Sequence, residues 1–60
     1  MNLRRKILII EDNEWNRALL AEILSSEYDT LEAENGKAGL EILEKEKEKM
    51  AILKNARYLL

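Results

Sequence analysis

The sequence has no cysteine and no histidine. Disulfide stapling, imidazole catalysis and a zinc or copper site built on His or Cys are therefore excluded as routes to stability or chemistry. The lack of cysteine is compatible with a reducing compartment. Aromatic residues are few: no Phe, one Trp and two Tyr. No Asp follows Asp29. The longest purely aliphatic run, Ile7 to Ile10, is far too short to span a membrane or form a signal-peptide core. The formal net charge is −2, too small and of the wrong sign for an electrostatic nucleic-acid binder. These absences leave a cytoplasmic protein with neither nucleic acid nor membrane as partner.

Sixty residues make a single domain at most. A chain of this size buries only about 60% of the surface that its unfolded form exposes. Self-association is one of the few remaining ways to stabilise it.

Residues 5–10 form a β-branched and leucine-rich run, the pattern of a strand buried on both faces in a parallel sheet. The carboxylates of Glu11 and Asp12 follow, and Asn13 is a good helix cap with Glu14 in the first turn. Trp15, Ala18, Leu19 and Ile23 recur at helical spacing, and Leu20 and Leu24 widen that face, which predicts a helix over 14–26. Tyr28, Thr30, Leu31 and Ala33 suggest a half-exposed edge strand, and Asn35-Gly36 marks a turn. Ala38, Leu40, Ile42 and Leu43 open a second helix, in which Gly39 costs about 1 kcal/mol relative to Ala. Strand, helix, strand and helix with short links predict an α/β unit with parallel strands.

The alternating Glu-Lys run over 44–49 reads as a solvated helical stretch. As a strand it would have one face all Glu and the other all Lys, with nothing to bury. Met50, Leu53, Ala56 and Leu60 then share one stripe, and nothing between Gly39 and Leu60 breaks a helix. A helix extended from Lys37 to the C-terminus would be about 36 Å long, more than two short strands can cover. The competing reading makes residues 50–55 a third strand. Arg4, Arg5 and Lys6 read as a solvated strand end.

Lys6 to Asn13, Asn16-Arg17, Leu31 to Gly36 and Ala38 to Leu43 together resemble the first half of a response-regulator receiver domain of the hybrid histidine kinase type. The resemblance runs from Lys6 to Leu43, within a receiver-like part of the single domain over residues 1–43. Residues 44–60 form a non-family helical tail, so the likeness stops after the second helix. It implies the β-α-β-α half of a flavodoxin-like, doubly wound sheet with strand order 2-1-3-4-5. It also implies that Glu11 and Asp12 match the acidic pair that holds Mg²⁺ beside a phospho-accepting Asp in two-component phosphorelays. If residues 50–56 align with the family's third strand, Asn55 or Ala56 falls near that acceptor position, and neither can form an acyl phosphate. The expectation is a non-catalytic, truncated or engineered receiver-like fragment, not an enzyme. It needs no cofactor and keeps at best weak, vestigial Mg²⁺ binding at Glu11 and Asp12.

With the family's third strand missing, the first strand would have a free edge. The sequence then predicts a homodimer of order 2-1-1′-2′ with an antiparallel central pair. Its interface would use Ile7, Ile9, Trp15, Met50, Leu53 and Leu60. The alternative is a regulatory module in two-component signalling that binds a histidine kinase or another receiver domain through the Trp15–Leu24 helix without being phosphorylated. Trp15 reads equally as a contact residue and as packing at the domain's edge.

Overall fold

The computed structural model describes residues 4–46 and 50–54. Strand β1 (Arg5–Ile10) leads through a short turn to helix α1 (Glu14–Leu24). Strand β2 (Tyr28–Ala33), helix α2 (Gly36–Glu46) and strand β3 (Ala51–Lys54) follow. The three strands form one parallel sheet in the order β2-β1-β3. Leu8 stands opposite Leu31 on one side and Ile52 on the other.

Side-chain alternation divides β1 between the two layers. Leu8 and Ile10 pack with Leu31, Ala33 and Met50 beneath Ala38, Ile42 and Leu43 of α2. Ile9 packs with Leu53 beneath Leu20, Ala21 and Leu24 of α1. The helices therefore cover opposite faces. The buried apolar residues are Ile7, Leu8, Ile9, Ile10, Leu20 and Ala33, so the core is mostly β1.

Both helices begin at an asparagine for the same reason. The Asn13 side chain accepts the Asn16 N–H at 2.9 Å, and the Asn35 side chain accepts the Ala38 N–H at 2.8 Å. Each bond satisfies a backbone donor that the first turn would leave unpaired.

Three expectations are corrected. The second helix does not extend to the C-terminus: it is described to Glu46, and residues 51–54 are the third strand. As a strand, this segment closes the backbone groups along β1 and sets Met50 and Leu53 on opposite layers. A helix would leave β1 bare, and unmade backbone hydrogen bonds are costly. Consequently β1 has no free edge, and Ile7 and Ile9 are core residues rather than interface. The order 2-1-1′-2′ is ruled out. Finally, α1 turns Leu20, Ala21 and Leu24 inward and leaves Trp15, Leu19 and Ile23 exposed.

The basic start of the chain is pinned rather than simply solvated. Arg4 donates to the carbonyl oxygens of Ser25 and, at 2.7 Å, Tyr28, and its Nε lies 3.3 Å from Asp29. Lys6 Nζ reaches Glu46 Oε1 at 2.6 Å, tying the end of α2 to β1.

Candidate functional site

In a parallel sheet with helices on both faces, the carboxyl end of the strand where the winding reverses is left open as a crevice. Here β2 and β3 lie on either side of β1, so the crevice falls at its carboxyl end. Glu11, Asp12, Asn13 and Asn16 line an open polar depression there. The turn that ends β1 and the cap that starts α1 place these residues together.

The two carboxylates differ in setting. Glu11 is buried at 3% exposure, whereas Asp12 is exposed. The Glu11 N–H donates to Ala33 O at 3.0 Å, which extends the β1–β2 ladder by one residue. Its side-chain Oε1 accepts the Asn13 N–H at 3.2 Å. Its carbonyl oxygen accepts from Arg17 Nη1 at 2.8 Å. Arg17 Nε also lies 3.6 Å from Glu32 Oε1 on β2. Glu11 is thus a joint between β1, β2 and α1, and Arg17 clamps that joint.

As a cation site the depression has a limited donor set. Among the described residues no group of three His, Cys, Asp or Glu side chains is arranged to hold a metal ion. Two adjacent carboxylates, one of them buried and hydrogen-bonded, do not form a protein cage for Mg²⁺. Asn55, Ala56 and Leu60 lie outside the described residues. At the opposite end of the sheet, Arg4, Arg5, Glu27 and Tyr28 line a second cleft whose charges are of both signs.

Of the predicted interface residues that are described, the structure brings Ile9 and Leu53 together beneath α1 and spreads the others over the fold. Ile7 and Ile9 are buried, and Met50 and Leu53 are half-buried against opposite layers. Trp15 is 83% exposed, so it does not pack against the domain. Sequence reasoning missed Ile52, which is 52% exposed in β3. No strand lies beyond β3 among the described residues. The apolar run Met50 to Leu53 carries the competing third-strand reading, but the exposure of Ile52 shows only once that strand has its place beside β1. No helix among the described residues is long and apolar enough to cross a membrane.

Comparison of the chain with known protein families, with curated proteins and with solved structures gives no match.

Proposed function

We propose that this chain is a receiver-like, flavodoxin-like α/β unit that works by association rather than catalysis, in the cytoplasm and as a homodimer. The observation that carries the reading is the outer edge of β3, which has no neighbouring strand among the described residues and carries the exposed Ile52. An apolar edge strand is a template for pairing with another chain. The small core gives the chain a reason to pair, because a unit of this size is marginal alone.

Support for a receiver origin comes from the order β2-β1-β3, from helices on opposite faces and from Glu11-Asp12 at the end of the central strand. Phosphoryl transfer is not part of the reading, because Asn55 and Ala56, which the resemblance sets near the acceptor position, cannot form an acyl phosphate. No cofactor is required, and Mg²⁺ binds Glu11 and Asp12 weakly at most.

The test is sedimentation equilibrium on the chain and on an Ile52→Lys variant, each with and without Mg²⁺. The expected result is a dimer for the parent chain, association weakened at least tenfold in favour of monomer by the substitution, and superimposable curves with and without Mg²⁺. A monomeric parent chain overturns self-association, and a dimer that forms only with Mg²⁺ overturns the cofactor reading.

A second reading rests on α1. Trp15, Leu19 and Ile23 follow one another at four-residue spacing and are 83%, 45% and 55% exposed. Such a stripe suits a regulatory module that docks on a histidine kinase or another receiver. Capture of the chain by isolated kinase domains, abolished by Trp15→Ala, is the expected result on that reading. Equal capture of the parent and the variant removes it.

A further inference from the structure

We propose that Asn35-Gly36 is a site of spontaneous covalent modification. The cap of α2 converts there, through a succinimide, to aspartate or isoaspartate, and the isoaspartate form loosens α2 from the sheet.

Asparagine is among the chemically labile side chains. Its loss of ammonia needs the backbone nitrogen of the next residue to reach its side-chain carbon. A side chain on that next residue hinders the approach, and only glycine has none. Asparagine occurs at positions 2, 13, 16, 35 and 55, followed by Leu, Glu, Arg, Gly and Ala. Position 35 alone has glycine next. Asn35 and Gly36 are both exposed, and a Cβ at Gly36 would meet nothing within 4 Å. Solvent reaches the bond freely.

The Gly36 N–H gives its proton to solvent base, and its nitrogen bonds to Asn35 Cγ. The Cγ–Nδ2 bond breaks, and the amide nitrogen takes up a proton and leaves as ammonia. Water then opens the imide. Opening at Cγ breaks the new bond and leaves aspartate. Opening at the backbone carbonyl breaks the original peptide bond and leaves isoaspartate, with the chain running through Cγ. Water is the only co-reactant.

Asn13 is a matched comparison within the same chain. Each of the two asparagines accepts an N–H of the helix it starts, at 2.9 Å for Asn13 and 2.8 Å for Asn35. Each must release that bond before its Cγ can swing to the next nitrogen, so the cap slows both alike. The following residue differs. Glu14 sets a side chain and a negative charge beside the nitrogen that must lose its proton. Gly36 is the first residue of α2, so its N–H has no partner within the helix. No acidic residue lies in the first turn of α2, and the positive end of the helix dipole favours the deprotonated nitrogen. Glu34 and Lys37 flank the pair with opposite charges.

The two products differ in effect. Aspartate caps a helix as well as asparagine does, and its charge suits the helix start. In isoaspartate the backbone oxygen that accepts the Gly39 N–H at 3.0 Å becomes part of a branch carboxylate, and the chain gains a methylene before Gly36. Gly39 is where α2 lies against Ile10. Isoaspartate therefore disturbs the helix next to its contact with β1.

The test is incubation of the folded chain in mildly alkaline buffer, beside a Gly36→Ala variant. Conversion at each asparagine is read by peptide mapping with high-resolution mass spectrometry, and isoaspartate by enzymatic methylation. The expected result is conversion at Asn35 at least tenfold faster than at Asn13, and slowed at least tenfold by Gly36→Ala. Equal conversion at Asn13 and Asn35, or a rate untouched by Gly36→Ala, overturns the site. The isoaspartate form is then separated and its urea midpoint compared with those of the parent chain and an Asn35→Asp variant at one protein concentration. A midpoint lowered in the isoaspartate form alone is expected. An isoaspartate form with the parent's midpoint, or an equal fall in Asn35→Asp, overturns the loosening of α2 and leaves the modification site standing.

Discussion

At the scale of single residues, Gly39 shows how closely α2 approaches the sheet. A methyl group at this position would lie 2.7 Å from Ile10 Cδ1 and 3.1 Å from Ile10 Cγ1. Ile10 is buried and β-branched, so its side chain has little freedom to move aside. The helix accepts a poor helix former because that residue lets backbone and β1 side chains meet. Gly39→Val should therefore destabilise the fold by about 1–3 kcal/mol through overpacking, even though valine is the better helix former. The measurement is the urea midpoint at fixed protein concentration. An unchanged or raised midpoint would mean that α2 has room to shift. The sequence marks Gly39 only as a cost. Its use depends on Ile10, almost thirty positions away in the chain, and local pattern cannot supply that. The candidate site was half legible for a similar reason. Glu11 and Asp12 stand out as carboxylates at a strand end, but the burial of one and the exposure of the other depend on Ala33 and Arg17.

At the scale of elements, β1 and β2 could be read directly. Residues 5–10 form a strand over the full predicted span, because a six-residue β-branched run bounded by turn residues has few alternatives. The rotation of α1 about its axis could not be read. Its sequence carries two apolar stripes, Trp15-Leu19-Ile23 and Leu20-Leu24 with Ala21 beside them. Either could face the sheet. The cap at Asn13 and the reach of Arg17 to Glu11 O and Glu32 fix the choice, and both are tertiary facts. Leu20 and Leu19 therefore make a matched test. Leu20→Ala removes a side chain buried between α1 and Ile9 and should cost about 2–5 kcal/mol. Leu19→Ala, at 45% exposure, should change stability by no more than about 0.5 kcal/mol. Equal losses by chemical denaturation would mean that the helix is rotated from the arrangement described. The third strand was the least legible element. The Glu-Lys run before it favours helix locally, and no turn residue announces a break. What makes Met50 to Lys54 extended is the side of β1 that would otherwise stay unpaired.

At the scale of the whole molecule, one strand holds most of the core and two thin layers cover it. Such a unit has little stability to spare. The winding reverses at β1, which opens a polar crevice at Glu11 and Asp12, and among the described residues β3 is an outer strand of the sheet. Association through that edge would lengthen the sheet and bury Ile52, joining stability to concentration. The most direct test is solution mass by sedimentation equilibrium across a dilution series, with helical circular dichroism read on the same samples. Association through β3 predicts a dimer whose mass and helicity fall together on dilution. A monomer that keeps its full helicity at every concentration would contradict it.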